Sequence, residues 1–71
     1  QRAVFKKAIA CNAAAIILIH NHPSGDPTPS KEDEHFTESV RRAGEYIGLP
    51  LVDHIIIGDN CYYSFKEQGK F

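Results

Sequence analysis

Before His20 the sequence has no acidic residue: Arg2, Lys6 and Lys7 are its only charged side chains there, and every Asp and Glu follows. The net charge of -1 excludes bulk attraction to nucleic acid or anionic lipid. A basic first helix can touch an acidic partner, although a solvated face is the simpler reading. Cysteine is scarce. Cys11 and Cys61 have no Cys-x-x-Cys spacing, so nothing forces a disulfide, and a reducing cytoplasm is expected. Small buried side chains are the default for both. No apolar run approaches the roughly 20 residues that span a bilayer, and there is no signal peptide. Repeats, low-complexity tracts and interdomain linkers are also lacking. The opening at Gln1 rather than Met points to a processed chain, a cloned domain or a fragment.

The 71 residues allow one domain. A chain this short buries only about 60% of its unfolded surface, so it needs support from a metal, a partner chain or flanking sequence. A hydrophobic fraction of 42% excludes the disordered class. Residues 2–12 read as a helix with Phe5, Ala8 and Ile9 on one face and Asn12 as its stop. "AAAIILIHN" reads as a strand, and its unbroken apolar run suggests a central strand covered on both faces. A proline-rich loop, residues 23–29, follows. Ser30 then caps a helix over residues 31–47, with Phe36, Val40, Ala43 and Ile47 as its apolar stripe. Gly48 and Pro50 end it. "LVDHIII" and "CYYSF" read as two further strands joined by a turn at Gly58 to Asn60. "SFKEQGKF" holds at most one helical turn. Strands alternating with helices predict an α/β fold, with helices packed on a short mixed sheet and a neighbouring strand missing from this chain.

The chemistry concentrates in "HNHPSGDPTPSKED". Residues two apart on a strand point to the same side, so His20 and His22 project together. Such a pair can grip one metal ion with two nitrogens. A catalytic zinc needs a third ligand, and Asp33 is a candidate if the loop stiffened by Pro23, Pro27 and Pro29 returns it to the histidines. The same residues also fit a rigid polar turn before a helix with a capping box, Ser30 at the N-cap and Asp33 at N3. Both readings stand on spacing alone. His54 reads as a strand histidine bonded to a neighbouring carbonyl or to Asp53. His35 reads as solvent-facing. Tyr62 and Tyr63 alternate faces, one core and one surface.

The string His-x-His-Pro, six residues, Ser, two residues, Asp resembles the metal motif of the JAMM metalloproteases of the JAB/MPN fold. Together with "VFKKAI" before it and "DHIIIGD" after it, it closely resembles the bacterial RadC proteins, from about Arg2 to Gly69. The resemblance implies a small three-layer α/β domain of cytidine-deaminase-like type. Residues 1–71 would be the C-terminal part of that domain, truncated at the N-terminus. It implies Zn2+ on His20, His22 and Asp33, Ser30 as the catalytic hydroxyl that assists the oxyanion, and Pro23 shaping the turn. The activity implied is hydrolysis of peptide or isopeptide bonds in a peptide or protein substrate by zinc-activated water. The family also needs an upstream glutamate as general base, and no acid precedes His20. The chain alone is therefore expected to bind zinc weakly or moderately and hydrolyse little. Two alternatives remain: a DNA-repair-associated role, which the RadC name suggests and the absence of a basic stripe opposes, and a non-catalytic interaction module. A homo-oligomer is possible, and membrane association is not expected.

Overall fold

The computed structural model describes residues 2–71. Helix α1 spans Arg2–Ala10, strand β1 Ile16–Asn21, helix α2 Lys31–Ile47, strand β2 Leu51–Ile57 and strand β3 Tyr62–Ser64. The sheet order is β1-β2-β3, with β1 parallel to β2 and β2 antiparallel to β3. Parallel neighbours need a crossover, and α2 supplies it. The chain is thus an α/β domain with two helices on a short mixed sheet.

Local signals set the helix ends. Asn12 stops α1 in a left-handed conformation, φ 56°. Gly48 closes α2 at φ 75°, with its N–H donating to the Gly44 carbonyl. The Leu49 N–H donates to that same carbonyl at 2.8 Å, which folds the chain back into β2.

One cluster holds Phe5 of α1, Ile16 of β1, Val40 of α2, Leu49 and Leu51. Ile56 and Phe65 are also buried. Half of the expected stripe on α2 is met: Val40 is buried and Ala43 packs against the cluster, while Phe36 and Ile47 stay exposed and Thr37 and Gly44 are buried instead. The cause is Gly44: lacking a side chain, it lets the Leu49 carbonyl lie against the helix.

β1 lies at the sheet edge among the described residues, and it is not covered on both faces as its composition led us to expect. Ile16 is buried and Leu18 half-buried, yet Ile17 and Ile19 are 55% and 68% exposed. A strand covered on one face hides only every second side chain, however apolar the run. Ile57 and Tyr62 pair across the strands and are exposed too, so the described residues make two layers, helices and sheet, with the other sheet face open. Cys11 and Cys61 are exposed as well, against the expectation of buried thiols. Both sit where the chain leaves regular structure, so no layer covers them. Tyr63 is half-buried and Tyr62 exposed, as the alternation required.

Asp53 clamps the hairpin. Its carboxylate accepts from the Ser64 hydroxyl at 2.5 Å, the His54 N–H at 2.7 Å and the Lys66 N–H at 3.0 Å. Partial burial pushes its pKa up, but the Ser64 hydroxyl and the two backbone donors outweigh this and hold it below the usual carboxylate range. Because the folded value is depressed, the stabilisation is present above the unfolded value and is lost as pH falls through the folded one. Asp53→Asn should cost about 1–3 kcal/mol at neutral pH and leave a shallower loss on acidification. Urea unfolding at neutral and at about pH 3 measures both; parallel losses in the two chains would remove the clamp from the account. Gly44→Ala would drive a methyl into the Leu49 carbonyl. A loss of about 1–3 kcal/mol is expected in the same assay.

Candidate metal centre

β1 pairs with β2 through Asn21, and the His22 N–H still donates to the Ile57 carbonyl at 3.0 Å. The extended backbone therefore continues past the strand, and the two imidazoles emerge on one side. Their rings meet edge to face, centroids 4.7 Å apart.

The loop that follows is held by its own polar groups. Asp26 Oδ1 accepts from the Thr28 N–H at 3.0 Å and the Thr28 hydroxyl at 2.7 Å. These bonds hold the Asp26 carboxyl below its ordinary pKa. The Asp59 N–H donates to the Gly25 carbonyl at 2.7 Å, which pins the loop to the β2–β3 turn. Pro27 and Pro29 restrict the backbone on the way to Ser30.

A capping box opens α2. The Ser30 hydroxyl oxygen accepts from the Asp33 N–H at 3.1 Å, and the Ser30 N–H donates to Asp33 Oδ2 at 2.8 Å. The hydroxyl is an acceptor here, so its hydrogen stays free to donate. Capping and donating to an oxyanion are therefore compatible for Ser30.

The box fixes the Asp33 carboxylate against both histidines. His22 Nε2 lies 3.1 Å from Oδ2, and His20 Nδ1 lies 3.4 Å from Oδ1. One ligand atom from each of His20, His22 and Asp33 falls within 4.8 Å of the other two. A tetrahedral zinc with metal–ligand bonds near 2.0–2.1 Å holds neighbouring ligand atoms roughly 3.3 Å apart, so the spacing suits one ion. The hydrogen bonding points the same way. His22 Nδ1–H donates to the Asp26 carbonyl at 2.9 Å, which leaves Nε2 as the lone-pair atom of the neutral ring. That lone pair faces a carboxylate oxygen, an arrangement that calls for a cation or a second ring proton between them. Partial burial pushes the Asp33 pKa up, but the bonds from Ser30 and the charge of His20 outweigh it and hold the carboxyl below its ordinary value.

Beside the ligand atoms opens a cavity of about 370 Å³, where His20, Glu32, Asp33 and His54 face Leu18, Ile19 and Phe36. His35 is exposed, as expected. His54 is not: only 3% of it is accessible. Its backbone N–H finds Asp53, as expected, but its ring finds Thr37. That partner lies 17 residues away in sequence, on a helix that packs over the strand, so neighbouring residues carried no sign of it. Thr37 was legible in one respect, since it sits four residues after Asp33 and can bond back to its carbonyl.

Comparison with known proteins matches residues 1–70 to the model of the RadC-like JAB domain. The chain belongs to this family. It is 55% identical over 69 residues to a UPF0758 protein of Thermotoga maritima, covering 97% of this chain and 31% of that one. A UPF0758 protein of Clostridium beijerinckii is 57% identical over 68 residues, 96% of this chain and 30% of its own length. The RadC-like JAB chain thus spans under a third of these relatives.

Ser30→Ala should lower stability by about 1 kcal/mol through loss of the cap, and Ser30→Gly by only a few tenths. For a domain of this size the first corresponds to a melting point about 4–8 °C lower. Equal melting points for the wild type and Ser30→Ala would mean that the cap contributes nothing to stability.

Proposed function

We propose that this RadC-like JAB domain holds one Zn2+ on His20, His22 and Asp33 and serves hydrolysis of a peptide or isopeptide bond. The observation that carries the reading is the convergence of those three side chains on one spot, with the Ser30 hydroxyl on the same capping turn. Zinc, when bound, supplies a Lewis acid and lowers the pKa of its water to about 7. The chain's own residues do the rest. The Asp26 carbonyl orients His22, the capping box orients Asp33, and Ser30 offers a hydrogen to negative charge developing on the scissile carbonyl oxygen. A general base contributes typically 10²- to 10⁴-fold. No acidic residue lies between Gln1 and His20, so the general base is assigned to none of those residues.

A peptide or protein is the proposed substrate and the cytoplasm the proposed location. No helix among the described residues is long and apolar enough to cross a membrane. One observation favours a second reading, a non-catalytic interaction module: the open sheet face with Ile17, Ile19, Ile57 and Tyr62 exposed. A module of that kind folds and binds its partner in the presence of chelator, whereas the metal reading does not survive it.

Elemental analysis of the purified, untagged chain beside His22→Ala separates them. One zinc per chain, lost in the variant while its circular dichroism is unchanged, is the expected outcome. A folded wild-type chain that takes up no supplied zinc would sink the metal reading.

A further inference from the structure

His54 is the buried titratable group that the proposed zinc chemistry leaves without a task. Its ring is stacked on Phe65, centroids 5.0 Å apart and 5° from parallel, and offset over His20 at 6.2 Å. It forms one wall of the cavity beside the candidate ligands.

The hydrogen-bond chain behind it decides which nitrogen carries the proton. The Thr37 hydroxyl lies 2.6 Å from the Asp33 backbone carbonyl, which can only accept. The hydroxyl's single hydrogen therefore goes to that carbonyl. His54 Nδ1 lies 2.5 Å from the same hydroxyl oxygen, so a hydrogen must sit between them too, and it belongs to Nδ1. In the neutral imidazole this makes Nε2 a bare acceptor. Nε2 makes no hydrogen bond among the described residues, and no buried side-chain nitrogen or oxygen there is unsatisfied. Nε2 is therefore the ring's polar atom open to the cavity.

A fixed acceptor selects a donor. Three of the cavity walls, Leu18, Ile19 and Phe36, are apolar, which suits a neutral donor over a charged one. Glu32 and Asp33 are the opposing features, two acids on the same cavity that would suit a cation. The geometry points to His54 as a substrate-binding residue whose unprotonated Nε2 accepts a hydrogen bond from a backbone amide N–H of a peptide lodged beside the candidate metal site. This rests on the peptidase reading for its substrate class, but the tautomer does not.

Nitrogen–proton correlation NMR on the metal-free chain tests the tautomer first. The expected result is a protonated Nδ1 and a bare Nε2, shifting toward a tautomer mixture in Thr37→Val. A protonated Nε2 in the wild type would overturn the proposal whatever the zinc content proves to be. Three probes then test the ligand: N-methylacetamide, N,N-dimethylacetamide, which carries no N–H, and methylammonium. The Nε2 resonance should move with the first and hold with the other two. His54→Asn keeps a donor toward Thr37 but has nothing at the Nε2 position. It should lose the preference for the N-methylamide, read from amide shifts at the cavity. Equal responses to the two amides, no response to either, or a response to methylammonium alone would each overturn it. Zinc stoichiometry is measured separately, so a chain that binds no zinc yet shows the amide preference refutes the metal reading and leaves the His54 acceptor standing.

Discussion

The carboxylate of Asp33 serves two structures at once. It closes the capping box that starts α2, and it faces the two imidazoles at the end of β1. A helix N-terminus needs an acceptor for its free N–H groups, and a pair of histidines on one side of a strand needs a third group opposite. One side chain meets both needs, so the helix cannot shift along its axis without moving the candidate ligand. The stiff loop between them and the bond from Asp59 to Gly25 hold the same relation from the other side.

The next layer inward repeats the pattern. Thr37, one turn after Asp33, ties the Asp33 carbonyl to the His54 ring. Asp53, beside His54, ties β2 to β3 and to the turn after it. A line of polar contacts thus crosses from the helix N-terminus through the central strand to the hairpin. Among the described residues every buried polar side-chain atom on it is satisfied. Satisfied buried networks rigidify their surroundings, which is what a preorganised ligand set requires.

Local chemistry was legible residue by residue. Ser30, Asp33, Gly48 and Pro50 delimit α2 because caps and stops act over a few residues, and the observed helix ends where they require. The spacing of His20 and His22 put both rings on one side because a strand has a period of two. The stripe on α2 keeps Val40 and Ala43 but takes Thr37 and Gly44 in place of Phe36 and Ile47, since the close approach of the Leu49 carbonyl at Gly44 is a contact between elements. The exposure of both cysteines departs from the default because burial depends on what lies over a residue, and composition is silent on that.

The sequence by itself determined where the elements start and stop, that the fold is α/β, and which family the metal-type motif resembles, because each of these depends on short-range periodicity and spacing. The tertiary structure decided that β1 lies at an edge with Ile17 and Ile19 in the open, that Asp33 reaches both histidines, and that Thr37 is the partner of His54. These depend on contacts between residues far apart in the chain, and the free energy of such contacts is set by packing that no local pattern encodes.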